Sequence, residues 1–270
     1  MDAPAPTASP RPVPEQTARR LRLANAGLVV LHLAQVVVLL LLTTDFSIPV
    51  TETFPEGPPG TAAPAPEPLL DVRLGWLVAA FLALAAVDHL VVALPRVHRT
   101  YERLLARSRN PFRWAEYSVS STLMVLLIGF LAGVTDVTAV IGIAGANVAM
   151  ILFGLRMERV NEGRAEVEWQ PFVLGCVAGA FPWVAIGTAI VGSELEADGQ
   201  GPPTFVYAIF VTLLVLFMSF AVVQYGQFRA RARGGRFADP VVAERAYLLL
   251  SLVAKSVLAW QVFANVLIDP

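Results

Sequence analysis

Long apolar stretches alternate with short arginine-rich or Pro/Gly-rich segments along the 270 residues. Helices at about 1.5 Å per residue need roughly 20 apolar residues to cross about 30 Å of hydrocarbon, and seven stretches are long enough. We predict that these helices lie at 21–43, 70–94, 111–133, 137–157, 170–191, 204–228 and 242–267. No soluble domain fits between them, so the pattern predicts an all-α membrane protein, a seven-helix bundle formed by residues 17–270.

Two segments outside these helices have patterns of their own. Residues 1–16 are rich in Pro and Ala (APAPTASPRPVPEQ), which predicts a disordered tail. The loop at 45–68 opens with DFSIPVTETF, whose alternating β-branched and aromatic residues are typical of strands, and continues as a Pro/Gly/Ala coil. We therefore expect a short β-hairpin in this first external loop.

The arginines are distributed unevenly between the two ends of the predicted helices. Eighteen of the 19 lie in the N-terminal segment or after the second, fourth and sixth helices, and only Arg73 lies at the other end. Loops rich in Lys and Arg stay on the cytoplasmic side of a membrane. The pattern therefore predicts a cytoplasmic N-terminus and an extracellular C-terminus, in a multi-pass protein of the cell membrane.

Composition excludes several classes of function. Hydrophobic residues make up 56% of the chain and charged residues 15%, with a mean hydropathy of +0.63, which is typical of a protein embedded in a lipid bilayer. The net charge of −1 gives no reason to expect a nucleic-acid partner. Nucleotide-binding loops, Ser-His-Asp patterns and CxxC pairs are absent, so we expect no enzyme, and no His/Asp/Glu spacing indicates a metal site.

Lys255 is the only lysine in the chain and the only charge between residues 246 and 268. A charge at membrane depth is costly, so it usually faces the protein interior and has a function there. Lysine readily loses its proton in a dry site and condenses with an aldehyde or ketone to form a Schiff base. The alternative is a lysine that snorkels to the interface, which its distance from Arg245 and Asp269 disfavours.

A buried cation needs an anion, and two carboxylates lie within the predicted helices, Asp88 and Glu116. Side chains lean toward the N-terminus of their helix, so Lys255 leans toward the cytoplasmic half, where Glu116 lies. We therefore favour Glu116 as the partner. The alternative is that Glu116 pairs with Arg113 at the membrane surface.

Polar and aromatic residues at similar depth could surround a ligand held by the lysine. Ser120 and Ser251 lie one helical turn from Glu116 and Lys255, respectively. Flat aromatic walls suit a rigid polyene, although aromatic residues at helical spacing are more often ordinary packing. The remaining candidates at this depth are Tyr117, Ser121, Asn147, Trp183, Phe217, Met218, Gln224 and Trp260.

A second polar cluster is predicted in the cytoplasmic half from His32 and Gln35 in the first helix and Asp88 and His89 in the second. The alternative for each histidine is a hydrogen bond to a neighbouring helix. Small residues also recur at four-residue spacing, which lets membrane helices approach closely and suggests a dimer contact. These pairs are Gly129 and Gly133, Gly142 and Ala146, and Gly175 and Gly179.

Several strings of sequence resemble the heliorhodopsin family, whose members are microbial-type rhodopsins with an inverted membrane orientation. The seventh predicted helix carries SLVAKSVLAWQVF and the third carries RWAEYSVSS. NVAMILFG in the fourth helix and FPW in the fifth extend the similarity over essentially the whole chain. The predicted cytoplasmic N-terminus agrees with this resemblance.

The resemblance implies a chromophore and roles for individual residues. All-trans retinal would be bound through Lys255, with Glu116 as the counterion and Ser120 and Ser251 tuning the protonated Schiff base. A histidine pair matching His32 and His89 would line an inner polar cavity.

The resemblance also implies a homodimer to which the first external loop contributes strands, a slow photocycle and no established ion pumping. One departure stands out, because Ala85 occupies the position where the family has a serine one turn before the second-helix histidine. The departure puts the usual hydrogen-bond network near the Schiff base in question.

The leading hypothesis is a light sensor that signals to a cytoplasmic partner. The alternative is a light-driven or light-gated ion transporter. Microbial proton pumps carry a second carboxylate eleven residues after the counterion, and here that position is Leu127. Between Glu116 and Asp136 there is no acidic, basic or histidine side chain. A third class, a retinal-free transporter or membrane enzyme, has no catalytic constellation to support it.

Overall fold

The structure, a computed structural model, describes residues 12–196 and 201–268. Within these residues, seven helices are long and apolar enough to cross a membrane, which confirms the predicted seven-helix fold. An eighth, shorter helix, α3, follows the second of them. The helices are α1 (Glu15–Leu42), α2 (Leu74–Ala93), α3 (Pro95–Leu105), α4 (Pro111–Leu131), α5 (Val137–Val160), α6 (Gln170–Glu196), α7 (Thr204–Arg233) and α8 (Pro240–Val262).

The helix boundaries differ from the predictions mainly at polar ends. α1 begins at Glu15, before the apolar stretch that starts at Leu21, and α7 continues to Arg233. Backbone hydrogen bonds extend a helix into the polar interface, where hydropathy gives no signal. Residues 1–11 of the predicted tail lie outside the described residues. After α8 the chain continues as a π-helix over Phe263–Leu267.

The loop at 45–68 forms the expected hairpin, with a second strand that the sequence pattern places partly in a helix. β1 (Ser47–Glu52) pairs antiparallel with β2 (Glu67–Arg73), and Ile48 lies opposite Val72. The prediction that the second helix begins at Leu70 is therefore wrong. Leu70 is apolar but belongs to β2, because its backbone pairs with β1 instead of continuing a helix.

The hairpin packs on the turn between α4 and α5. The backbone N–H of Thr51 donates to Thr135 O at 2.9 Å, and their hydroxyl groups lie 3.3 Å apart. The carboxylate of Asp136 caps α5 by accepting from the backbone N–H of Ala139 at 2.9 Å. The hydroxyl of Thr138 donates to the same carboxylate, and this hydrogen bond holds the pKa of Asp136 below its ordinary value.

The two ends of the bundle have different interiors. At the hairpin end the core is apolar and includes Phe81, Leu127 and Leu258, each fully buried. Toward the opposite end, which carries the arginine-rich loops, buried polar side chains accumulate. They include Asn25, His32, His89, Asn110, Arg113, Glu158, Gln227, Glu244 and Lys255. Among the described residues, the buried polar side chains therefore lie mainly toward the arginine-rich end.

α3 lies in a segment that hydropathy had assigned to a loop. Pro95 occupies its first turn, where a missing N–H costs no hydrogen bond. His98, Tyr101 and Leu105 form its buried face. The ring nitrogens of His98 lie 3.1 Å from Val92 O and 3.1 Å from Ala18 O, so α3 is fixed against both α1 and α2.

Candidate functional site

Lys255 is buried in the middle of the bundle and has two hydrogen-bond partners. Its Nζ donates to Ser251 Oγ at 2.6 Å, one turn earlier in α8, and to Glu116 Oε2 on α4 at 3.3 Å. It also lies 4.9 Å from the centroid of the Tyr117 ring. The structure thus brings together the lysine, the favoured carboxylate and one of the two predicted serines.

Two polar atoms next to this pair are buried without a partner. Within the described residues, neither Glu116 Oε1 nor Ser120 Oγ accepts or donates a hydrogen bond. Buried polar atoms are nearly always hydrogen-bonded, so unpaired ones next to a buried charge indicate a place for a further polar group. The surroundings of Lys255 can therefore hold a further polar group beside the Lys255–Glu116 pair.

A cavity of about 330 Å³ begins at Lys255 and extends between α4, α5, α6, α7 and α8, and its lining is largely apolar. This volume is in the range of small-molecule sites in proteins. Trp183 and Phe217 form part of the wall, with ring centroids 5.3 Å apart in an edge-to-face arrangement. The other predicted residues that line it are Tyr117, Ser120, Ser121, Met218, Gln224 and Ser251.

Two of the predicted residues do not reach this cavity. Trp260 is 39% exposed and packs edge-to-face against Phe263 at 5.5 Å. Asn147 lies behind the wall, where its Nδ2 donates to Ser121 Oγ at 2.8 Å and to Thr122 Oγ1 at 2.9 Å. Several apolar lining residues that were not predicted contact the cavity instead, namely Trp114, Met124, Met150, Ile151, Leu214 and Phe220.

A small polar cavity of about 20 Å³ lies on the other side of Glu116, toward the arginine-rich end. Its volume is sufficient for a water molecule. Asp88 and His89 line it together with Tyr101 and Glu244. The Lys255–Glu116 pair therefore has a small polar cavity on the side of Glu116 and the apolar cavity on the side of Lys255.

The predicted histidine cluster is only partly assembled. The rings of His32 and His89 stack with centroids 5.6 Å apart, and His89 Nδ1 lies 2.8 Å from Asn25 Oδ1. Gln35 turns instead to α8, where its Nε2 donates to Ser256 Oγ at 2.9 Å. Ala85, one turn before His89, is buried and supplies no hydroxyl group.

A buried ionic cluster near the arginine-rich end was missed by the sequence analysis. Arg113 Nη1 lies 2.6 Å from Glu244 Oε2 and its Nη2 lies 2.5 Å from Glu158 Oε1. Asn110 donates to both carboxylates, through its backbone N–H to Glu158 at 2.7 Å and through Nδ2 to Glu244 at 2.9 Å. The alternative pairing of Arg113 with Glu116 is therefore not formed.

The cluster ties three helices together beneath the candidate site. Arg113 is on α4, Glu158 on α5 and Glu244 on α8, and the guanidinium of Arg113 lies 3.8 Å from the centroid of the Tyr247 ring. The sequence carried one signal close to it, because an Asn-Pro pair such as Asn110–Pro111 is typical of a helix start. The partners of Arg113 are distant in sequence and leave no local pattern.

Comparison with known proteins identifies the family. A family model described as Heliorhodopsin matches residues 21–267. The chain belongs to the heliorhodopsin family. This membership confirms the resemblance drawn from the sequence, and it implies a retinal chromophore in a multi-pass integral membrane protein.

Solved structures of rhodopsins have the same fold. A light-driven proton pump from Leptosphaeria maculans is 15% identical with a TM-score of 0.61, over 94% of this chain and 95% of that one. A thermophilic rhodopsin from Rubrobacter xylanophilus is 17% identical with a TM-score of 0.54, over 92% of this chain and 95% of that one. At these identities the likeness concerns the fold alone. Among curated proteins, no sequence matches this heliorhodopsin.

Proposed function

We propose that this heliorhodopsin is a light-sensing photoreceptor that binds all-trans retinal through a protonated Schiff base at Lys255. The observation that carries the proposal is the position of Lys255 at the end of the 330 Å³ apolar cavity, with Glu116 Oε2 at 3.3 Å. Family membership implies the retinal, and the chain has no second lysine that could hold it. When bound, retinal supplies light absorption and photoisomerisation.

The residues present fit such a chromophore. The carboxylate of Glu116 would neutralise the positive Schiff base, and its unpaired Oε1 leaves an acceptor free for that purpose. The hydroxyl of Ser251, 2.6 Å from Nζ, and the unpaired hydroxyl of Ser120 would adjust the polarity around it. Trp183, Phe217, Tyr117 and Ser121 would wall the polyene, with Gln224 farther along the cavity.

We propose further that the light response is transmitted to the arginine-rich end and read there by a cytoplasmic partner, with a slow photocycle. The polar side chains of Asp88 and His89 continue from Glu116 toward that end, whereas the core at the hairpin end is apolar. The arginine bias supports a cytoplasmic location for that end. A charge movement at Lys255 can therefore perturb polar side chains toward the arginine-rich end, whereas the apolar core at the hairpin end offers an ion no polar path. We therefore expect sensing rather than ion pumping or catalysis.

We propose that the protein forms a homodimer through α5. Gly142 is exposed on α5 with no atom close to the position of an added Cβ. Gly175 and Gly179, by contrast, are used inside the protomer, where they pack against Phe153 and Met150. Size-exclusion chromatography with light scattering on the Gly142→Leu variant tests this contact, and an unchanged dimer would exclude it.

An absorption spectrum of the purified protein with all-trans retinal tests the chromophore. We expect a visible band that hydroxylamine bleaches under illumination, because hydroxylamine cleaves a retinal Schiff base. The absence of a band would overturn the assignment of Lys255.

Light-induced pH changes in suspensions of cells that express the protein test the sensory role. We expect no sustained change in external pH. A steady light-driven change that a protonophore abolishes would favour the alternative, a light-driven or light-gated ion transporter.

A further inference from the structure

α3 presents a row of arginines on the side opposite its buried face. Arg96, Arg99 and Arg103 follow at positions i, i+3 and i+7, so their side chains leave the helix from one side. All three are exposed. Across residues 12–196 and 201–268, none of the three forms an ion pair. Their charge is therefore available to a partner.

Two arginines of α1 extend this row. Arg22 Nε donates to Ala93 O at 2.8 Å, which places its guanidinium at the junction between α2 and α3. Arg19 is exposed one turn earlier. The acidic residue of α3, Glu102, turns toward His98 at 3.1 Å and does not neutralise the row. We call Arg19, Arg22, Arg96, Arg99 and Arg103 the α3 arginine surface.

The α3 arginine surface lies at the depth of lipid headgroups. Leu90 near the end of α2 and Leu94 just after it are 50% and 47% exposed, and Arg96 follows two positions after Leu94. Exposed leucines in a membrane-spanning helix contact acyl chains, so a cation immediately beyond them meets the phosphate layer. Exposed leucines are thus followed along the chain by arginines, just as the acyl chains of a bilayer leaflet are followed by its phosphate groups.

The surface is held in place before any partner binds. Tyr101 and Leu105 are 1% and 2% exposed, and His98 contacts the carbonyl groups of Val92 and Ala18 at 3.1 Å each. Because α3 does not have to fold or dock on binding, little conformational entropy is lost. Guanidinium groups also bind phosphate with two parallel hydrogen bonds, which a rigid array favours.

We propose that the α3 arginine surface binds the phosphate headgroups of anionic phospholipids in the surrounding leaflet. The surface is distinct from the cavity at Lys255, and the inference does not depend on a bound chromophore. The charge, the depth and the fixed geometry of the row all favour a lipid over a soluble acidic protein.

Native mass spectrometry of the purified full chain tests the proposal, with phosphatidylglycerol or phosphatidylcholine added to the detergent. The variant Arg96→Gln/Arg99→Gln/Arg103→Gln should bind phosphatidylglycerol roughly tenfold or more weakly than the wild type, since each basic residue near an anionic surface contributes to binding. Binding of phosphatidylcholine should stay weak in both. The variant Arg96→Lys/Arg99→Lys/Arg103→Lys keeps the charge but not the guanidinium groups, and its binding should lie between that of the wild type and that of the Gln variant.

A matched control removes the same charge elsewhere at the arginine-rich end. Arg156, Arg159 and Arg164 are also exposed, and their triple replacement by Gln should leave phosphatidylglycerol binding within about twofold of the wild type. An equal loss in both triple variants would overturn the proposal in favour of non-specific attraction. Binding of inorganic phosphate as tight as that of phosphatidylglycerol, or unchanged lipid binding in the α3 variant together with lost binding of an acidic protein, would also overturn it.

Discussion

The Nζ atom of Lys255 lies 3.3 Å from Oε2 of Glu116, with side-chain exposures of 3% and 6%. The pair joins α8 to α4 across the centre of the bundle. Removing either partner would leave the other as an uncompensated charge in a dry site, which is strongly unfavourable. The two residues therefore depend on each other for stability as well as for any chemistry at the lysine.

Replacement of Lys255 by Ala should abolish the visible band of the protein reconstituted with all-trans retinal, because no other lysine is available for a Schiff base. Absorption spectroscopy after reconstitution measures the effect. Ser256→Ala is a suitable control, since Ser256 is adjacent but contacts Gln35 rather than Lys255. A normal pigment from Lys255→Ala would exclude the proposed attachment.

Replacement of Glu116 by Gln should shift the visible band to longer wavelength, because the anion that stabilises the positive Schiff base is removed. The band should also disappear on alkaline titration at a pH about 1–3 units lower than in the wild type. Asp88→Asn provides the comparison, since Asp88 lines the small polar cavity but makes no contact with Lys255 among the described residues. If only Asp88→Asn changes the titration, Asp88 is the counterion.

Replacement of Arg113 by Gln should destabilise the protein by about 3–5 kcal/mol, because the buried carboxylates of Glu158 and Glu244 lose their cation. Denaturant unfolding in detergent measures the loss. Arg107→Gln removes an ion pair with Glu162 in which Arg107 is 55% exposed, and it should cost about 0–1 kcal/mol. Equal costs for the two variants would show that the buried cluster contributes no more than a surface pair.

Tyr101 should make the folded protein less stable as the pH rises into the alkaline range. Burial and the nearby negative charge of Glu244 raise the pKa of Tyr101 well above its ordinary value. A group that stays neutral in the folded state stabilises it fully below the unfolded pKa of about 10, and this contribution is lost as pH rises above that value. Tyr101→Phe should therefore weaken the decline in melting temperature between pH 9 and pH 11.

The same substitution should be nearly neutral at pH 7. Among the described residues, the Tyr101 hydroxyl has no hydrogen-bond partner, so its removal breaks no bond. Thermal melting at both pH values separates the two effects. A large loss of stability at pH 7 would mean that the hydroxyl has a structural role, and an unchanged alkaline slope would mean that Tyr101 does not titrate there.

The sequence predicted the membrane helices and the Lys255–Glu116 pair because both follow from depth. Apolar length determines where a helix crosses the bilayer, and two opposite charges at one depth in a bundle are drawn together. The direction in which a side chain points from its helix was harder to predict. Trp260 lies five residues after Lys255, which is about 140° around the helix, so it points away from the cavity although its depth is similar.

Features that depend on long-range pairing left weaker signals. The partner of β1 is the segment at Leu70, whose apolar character also suits a helix, and only the pairing decides between them. Glu158 and Glu244 lie near helix ends, where a hydropathy pattern predicts that a carboxylate is solvated. In the structure both are buried and paired with Arg113. α3 is short and charged on one side, so a search for membrane spans passes over it.

The apolar layer at the hairpin end has an electrical consequence. A membrane voltage falls mainly across the region of lowest dielectric constant, and here that region is the core around Phe81, Leu127 and Leu258. The polar side chains around Lys255 and Glu116 raise the local dielectric constant, so that half carries a smaller share of the voltage than the apolar layer does. A charge displaced within that half therefore does less work against the membrane voltage than an equal displacement through the apolar layer would do.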